Sequence, residues 1–544
     1  MYKRQKEWFA AHGRDDIAMA PNAATRKKMI ETLEVSDDPA ERLLYAAFKA
    51  DLRQAEGESQ LLRASGRYPL CGRGDVNTYA VFAELKRSLL SPQGRVACIV
   101  PSGIATDDTT KWFFQDLVDS GTLHSLYDFQ SGPGYFSDIG HARFKYCLLT
   151  LAATVSNADR PMDFVFFARD PVHLKDPARH FTLTAADIDL LNPNTHTCPI
   201  FRSKYDAEIT KGIYRRVPVL IKEGSPEWNP WGISFMAMFH MAGASHLFRT
   251  REQLEHLGWE LRGSIFRRGD QTYVPLYEAK MVHQFDHRWA TYEGLETRYV
   301  IEAEKADPSF VALSRYWVAQ RDVNDRLADK WDKRWLLGWR DICRSTDERT
   351  VVASFLPRVA CGDKFLLMYP TVDPAQASCL LAVLDSFCFD YIARQKLGGT
   401  SLKYYTMKQL PVLPPSAFDE ACPWSPVETL REWVVARVTE LVCTSDDMAP
   451  LAADLGLLVS PASPPHWSAE RRFQLRSELD AAFFHLYGLS PEEIDHVMDT
   501  FHIVKRKDEA QFGEYRTKLA VLVEYDAMVS ASERRDVAQE RTPW

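Results

Sequence analysis

In residues 76–90, VNTYAVFAELKRSLL, the apolar Tyr79, Phe82, Leu85, Leu89 and Leu90 recur near one side of a helical period, with Lys86 and Arg87 opposite. That spacing predicts an amphipathic helix. After the polar turn SPQGR the pattern changes kind. Residues 95–101, RVACIVP, are a short apolar run bounded by Gly and Pro, the pattern of a buried parallel strand. A helix at 109–119 leads to strands at 123–129 and 143–152, joined by the Gly-rich QSGPGYFSDIGHA; residues 162–168 read as one more strand. Helix–strand alternation ending in adjacent strands predicts an α/β fold, the second half of a doubly wound sheet. Ligands of such sheets bind beyond the carboxyl ends of the strands, where VPSG (100–103) and the 130–142 loop would lie.

The flanks differ. Residues 1–60 read as charged helices. From about 186 to 415 turn signals and aromatics are dense and helical periods fewer, apart from 203–216 and 308–328, which predicts a mixed α+β domain. Its last part, 377–396, reads as one apolar helix, and Pro414-Pro415 mark a boundary. Helical patterns fill 425–458 and 467–526, and the polar residues from 531 read as a loose tail. The expected domains are 1–185, 186–415 and 416–530, with a tail at 531–544.

Composition narrows the class. Of 544 residues, 46% are hydrophobic and 26% charged, and the net charge is −8. This is ordinary for a globular protein, and any basic surface must be local. The ten cysteines contain no CxxC pair and several sit in apolar runs, which speaks against zinc ribbons and, for those several, for buried free thiols. No signal peptide and no apolar run near membrane-spanning length is visible, so a cytoplasmic protein without a membrane partner is expected.

Three stretches carry candidate chemistry. In 273–294, YVPLYEAKMVHQFDHRWATYEG, the cations Lys280, His283, His287 and Arg288 alternate with aromatics, as suits nucleic acid whose bases can be stacked. Asp270, Glu278 and Lys280 also form the minimal set of a metal-dependent nuclease, with Glu278 and Lys280 on one face of a strand. A buried strand with an amphipathic rim is the third reading. The second stretch, 331–350, brings Arg340, Arg344 and Arg349 close to hydroxyls, a set suited to phosphates and guanine edges. A surface helix with paired arginines would look the same. The third, 394–405, holds Arg394, Lys396, Gly398, Gly399, Thr400 and Lys403, either an anion-binding loop or a glycine-ended helix. Gly72-Arg73-Gly74 has no strand before it and reads as a plain loop. No GxSxG, P-loop or HExxH occurs.

Taken in order, GRYPLCGRGDVNTYAVFAE, GRVACIVPSGIATDDTTK, YDFQSGPGYFSDIGHARFKYCLLTL, the 273–294 stretch, GWRDICRSTDERT and DYIARQKLGGTSLKYYTMKQLPVLPP resemble large bacterial N6-adenine DNA methyltransferases. These are the enzymes of type IIG restriction–modification and related phage-defence (BREX-like) systems. The resemblance spans about residues 1–530. It implies the C-terminal half of a Rossmann-like methyltransferase sheet, a target-recognition domain over 186–415 that reads double-stranded DNA, and a helical C-terminal region. It makes Phe136 the aromatic stacked on a flipped-out adenine, a contact worth ~1–3 kcal/mol, and S-adenosylmethionine the cofactor. It makes Lys280 and Arg288 DNA contacts, with Glu278 orienting Lys280. Yet the family's Asn-Pro-Pro-aromatic loop and Gly-containing cofactor loop are missing. Ser463-Pro464-Pro465-His466-Trp467 echoes the former but follows the recognition domain. The family's catalytic loop precedes a segment like RQKEWFAAHG, which here begins at Arg4. The expectation is a DNA-reading chain inactive alone, with three origins open: a misplaced start codon, a truncated gene, or a split enzyme whose catalytic half is a separate chain. The alternatives are the metal nuclease and a non-catalytic specificity subunit.

Overall fold

The computed structural model describes residues 2–21, 23–74, 76–130, 145–153, 160–457 and 464–540. Phe136 lies outside the described residues. The chain divides into two compact units, Met1–His124 with Tyr146–Ser156, and Ser125–Lys145 with Asn157–Trp544.

The first unit opens with helices α1 (Tyr2–Ala11), α2 (Ala23–Glu34) and α3 (Pro39–Ala64), as the charged helical pattern predicts. They enclose a small core of Phe9, Ile17, Ile30, Leu33 and Phe48. Asp38 starts α3 by accepting the Ala40 N–H at 2.8 Å, with Pro39 in the first helical turn, where its missing N–H costs nothing. Helix α4 (Thr78–Ser88) packs on β1 (Arg95–Pro101), and α5 (Lys111–Asp119) follows. The chain passes into the second unit within β2 (Leu123–Gln130) and returns in β3 (Lys145–Ala152).

β1 corrects one expectation. It pairs with β3 in antiparallel register, Cys98 opposite Leu149, and only alternate residues are covered. Cys98 and Val100 are buried, whereas Ile99 is 58% exposed. An antiparallel strand that keeps apolar residues on its open face reads in sequence like one covered on both. Phe82 and Leu89 are exposed as well.

In the second unit β2 runs parallel to β4 (Met162–Ala168), and β5 (Phe181–Leu183) is antiparallel to β4. Helix α6 (Lys204–Arg216) and the short strand β6 (Ser234–Met236) come next. Strands β7 (Glu260–Arg262), β8 (Ile265–Arg268) and β9 (Gln271–Tyr277) form a meander. β10 (Ala290–Glu293) and β11 (Glu296–Tyr299) form a hairpin, and β12 (Trp317–Ala319) borders β9. Residues 308–328, expected to be one helix, are a loop, β12 and the helix α7 (Gln320–Leu327). β13 (Trp335–Arg340) lies between β14 (Ala353–Pro357) and β16 (Phe365–Tyr369), with β6 beyond β16 and β15 (Ala360–Cys361) joined to β9. Gly338 allows this closeness, because a Cβ there would sit 2.4 Å from the Leu366 carbonyl oxygen.

The apolar stretch near 377–396 is two helices, α8 (Pro374–Asp385) and α9 (Phe387–Arg394), bent by 56°. Ser386 makes the break by accepting the Phe389 N–H at 3.2 Å and donating to the Val383 carbonyl at 2.8 Å, which gives α9 its own cap. α8 packs against both β14 and α10 (Leu430–Val442), and α11 (Ala469–Leu486) packs on α9 and α10. The region after 415 therefore shares a core with the β-rich region, and the paired prolines do not divide the unit. Helices α12 (Pro491–Asp499), α13 (His502–Phe512) and α14 (Arg516–Glu540) complete it. α14 continues through 531–540, which the polar composition had assigned to a loose tail. All ten cysteines are buried free thiols, as expected for those in apolar runs. Among the described residues no single helix is long and apolar enough to cross a membrane.

Candidate nucleic-acid interface

The 273–294 stretch does not stay a strand. β9 ends at Tyr277, and Lys280 sits in a 3-10 turn, Ala279–Met281. Glu278 and Lys280 therefore do not share a strand face as expected. Glu278 accepts the Tyr292 hydroxyl at 2.5 Å, while Lys280 Nζ lies 3.8 Å from the same carboxylate and 4.7 Å from the Tyr292 ring centre. Burial, then the bond to Glu278, pushes the Tyr292 hydroxyl up, so it stays a donor. Glu278 and Tyr292 thus steady Lys280, whose side chain is half exposed. Asp270 is at the far end of β9, more than about 20 Å away at strand rise. A divalent cation holds its oxygens within about 2–2.6 Å, so Asp270 and Glu278 cannot share one. Among the described residues no group of three His, Cys, Asp or Glu side chains could hold a metal. The metal-nuclease reading fails on this geometry.

His287 and Arg288 are interior. Arg288 is fully buried and donates to the carbonyls of Lys305 at 2.9 Å, Asp307 at 3.0 Å, Phe310 at 3.1 Å and Thr444 at 3.2 Å. His287 Nε2 is 3.0 Å from the Asp447 carboxylate. Burial raises the Asp447 carboxyl, but the His287 charge and hydrogen bond outweigh it and hold the group below the usual range. Lys305 meets Asp286 at 2.5 Å. Together these contacts tie residues 286–288 to 305–310 and 444–447. Both DNA-contact expectations are withdrawn, since neither side chain has a free face.

The same correction holds for three later cations. Arg349 and Arg394 divide one buried carboxylate, with Arg349 Nε on Asp390 Oδ2 at 3.0 Å and Arg394 Nε on Oδ1 at 2.9 Å. Arg394 also donates to the Asp347 and Glu348 carbonyls, and the two guanidinia cover the Phe387 and Phe501 rings at 4.0 Å. Lys396 donates to the Leu191 carbonyl and the Asn192 side chain, and burial pushes it well below its ordinary range. Trp467, of the Pro-Pro echo, lies under Arg472 at 3.8 Å and serves packing.

A rim remains. The backbone beyond β13 joins the 400–402 loop, with the Leu402 N–H on the Asp341 carbonyl at 2.7 Å and the Cys343 N–H on the Thr400 carbonyl at 3.2 Å. The second and third stretches are therefore one surface. Asp341, fully buried, anchors Lys403 at 2.6 Å and Lys364 at 3.3 Å. Around it Arg344, Ile342, Gly399 and Thr400 are exposed, and Gly398 is half-buried. Lys364 was missed in the sequence, where it sits in a Gly-Asp-Lys turn with no motif around it. Arg340 bridges inward to the first stretch by donating to the Val282 carbonyl, and burial pushes its guanidinium down to about 10. Burial, then Arg340, Arg476 and Arg349, depress His283 far below its ordinary range, so its ring is neutral at pH 7.

No family model matches the chain, and no curated protein does. Among solved structures, the type IIL restriction-modification enzyme MmeI in complex with DNA is similar at 10% identity and a TM-score of 0.35, over 78% of this chain and 52% of that one. The type IIG restriction endonuclease BpuSI is similar at 11% identity and a TM-score of 0.26, over 81% and 52%. The chain spans about half the length of each. Both scores fall short of a shared fold, so what this chain does is argued from its own residues.

Proposed function

We propose that residues 186–415 read DNA sequence within an adenine-specific (N6) DNA methyltransferase of a restriction–modification or phage-defence system. On this reading the chain alone binds double-stranded DNA and transfers no methyl group. The observation that carries the binding half is the rim of Arg344, Lys364, Lys403 and Thr400, with Lys280 on its turn. There Lys364 and Lys403 stand on the buried Asp341 carboxylate and Lys280 on Glu278, with Arg344 and Thr400 exposed beside the first two, an arrangement that suits phosphate contacts. The methyltransferase half rests on the resemblance of the ordered segments, and Phe136 keeps its proposed stacking role on that ground alone.

S-adenosylmethionine belongs to the complete enzyme in this proposal. The glycine loops of the first unit do not fit it. A Cβ on Gly72 would meet the Leu62 and Tyr68 carbonyl oxygens at 2.5 Å, and one on Gly103 the Asp107 carboxylate at 2.3 Å. These glycines admit their own chain's acceptors, which would repel a carboxylate or phosphate. No Asn-Pro-Pro-aromatic run occurs in the sequence. No methyl-transfer step is therefore assigned to these residues. A separate chain would supply that half, and the open face of β1, with exposed Ile99, together with Phe82 and Leu89, offers it apolar surface to cover. The same feature favours the specificity-subunit form over a self-sufficient module.

The test uses the purified chain, duplex DNA and S-adenosylmethionine labelled in the methyl group. Retention of DNA that weakens steeply with salt, without label in the DNA, is expected. Label in the DNA overturns the inactive-alone reading, and absence of binding at low salt overturns DNA reading.

A further inference from the structure

Beneath Arg340 the second unit holds a cavity of about 520 Å³ between the 283–299 segment, α11 and α13, lined among others by Arg340, Arg349, Arg472, Arg476 and Lys507. Its charge is unbalanced. Of the carboxylates in the wall, Glu348 is taken by Lys507 at 2.5 Å, and Asp508 accepts the Thr517 N–H at 2.7 Å. Asp480 is buried, accepts the Phe387 N–H at 2.7 Å, and is pushed up to about 6 by that burial. Guanidinium groups stay charged at neutral pH, and burial, then the Arg349 charge, lowers Arg476 from its ordinary value. Asp390 offsets Arg349 from behind the wall and Glu348 offsets Lys507, but among the described residues Arg340 and Arg476 make no ion pair, and like charges this close in a partly dry site repel.

The donors are also unfinished. Arg349 spends Nε on Asp390 and Nη2 on the Asp385 carbonyl, but among the described residues its buried Nη1 has no partner. Arg340 Nε is buried and equally unpartnered. A buried guanidinium N–H left unpaired is costly, and both of these belong to side chains in the cavity wall. Trp289 and Tyr299 stand at the wall with ring centres 5.2 Å apart, and Tyr299 is 70% exposed. The volume lies in the range of small-ligand sites, well above a lone ion's need.

We propose that this cavity binds a phosphate ester, its phosphate oxygens taken by Arg340 and Arg476 and its planar part by the exposed ring of Tyr299. The Arg349 side chain is 2% exposed and lends its charge from behind the wall, and a cavity of this volume takes a small molecule while a duplex lies on the rim outside it. A free nucleotide is therefore the favoured source, and a DNA backbone or end phosphate the other. The site is separate from the Arg344–Lys403 rim, and a nucleotide ligand does not depend on the DNA reading.

The test is calorimetric titration of the full chain in phosphate-free buffer with ADP, inorganic pyrophosphate and a short duplex. It is repeated on Arg476→Gln and on Lys507→Ala, a surface change at the mouth that leaves the core intact. Saturable ADP or pyrophosphate binding that weakens at least tenfold in Arg476→Gln and about threefold in Lys507→Ala, with duplex binding unchanged, establishes the site with a free nucleotide as source. Duplex binding that weakens in both variants, with no ADP binding, establishes it with DNA as source. Phosphate ligands that fail to bind, or bind equally to all three proteins, overturn it. Loss of duplex binding in rim variants alone bears on the DNA reading and leaves this site standing.

Discussion

Two sets of cations, all but Lys364 from the same short stretches, have opposite surroundings. Arg288, Arg349, Arg394 and Lys396 lie inside, each held by carbonyls or by Asp390. Arg344, Lys364, Lys403 and Lys280 lie outside, the lysines on tethers of one or two carboxylates. The inner set fastens loops to helices and contributes stability. The outer set is open to solvent, its pairs are weaker and screened by salt, and it is the set proposed above to meet DNA. Adjacency to an aromatic does not distinguish them, since Lys280 lies over Tyr292 as Arg349 does over Phe387. The number of carbonyl acceptors within reach does.

The sharpest way to break this contrast is Arg288→Met. It leaves four carbonyls without their donor, and unfolding in urea is expected to show a loss of about 3–5 kcal/mol. A loss near zero would mean that Arg288 is not a fastener. Arg344→Ala with Lys403→Ala sharpens the other side. DNA affinity should fall about tenfold, and the salt slope should drop by roughly one for each phosphate no longer neutralised. Stability should stay within about 0.5 kcal/mol of the parent. Equal losses of affinity and stability would erase the distinction. A smaller effect tests a cation between the classes. His496 Nε2 is 2.9 Å from buried Asp206, and that hydrogen bond raises the imidazole above its ordinary 6.5. The raised group stabilises the fold fully below pH 6.5 and loses this as pH rises through the folded value. His496→Gln should flatten the stability difference between pH 6 and pH 8 by less than about 1 kcal/mol, read from urea midpoints at both pH values. An unchanged profile would remove His496 from the argument.

Much of the architecture was legible because periodicity reports local structure. The strands at 95–101 and 162–168 fall where the apolar runs place them. What was not legible depends on partners far away in the chain. β1 is antiparallel because β3 returns beside it, and α8 breaks from α9 because Ser386 finds the Phe389 N–H instead of continuing one ladder. α14 extends through a polar stretch that composition alone reads as loose. For the candidate site, the sequence brought forward segments that the fold joins into one rim, but it did not separate their buried side chains from their exposed ones. A cation's burial is decided by acceptors such as the Asp307 and Thr444 carbonyls, which no spacing near Arg288 announces. The pairing of 341–343 with 400–402 is likewise invisible until the chain folds.

The ten buried thiols have a practical consequence. Burial pushes such thiols up, to about 12 at both Cys343 and Cys443, so the folded chain is nearly silent to maleimide chemistry. A cysteine placed on the rim by Arg344→Cys would be the fast-reacting sulfur. A dye could then be seated on the rim with every natural cysteine left in place, where it would report on the proposed DNA contact, and slow labelling of the others would time the opening of the core.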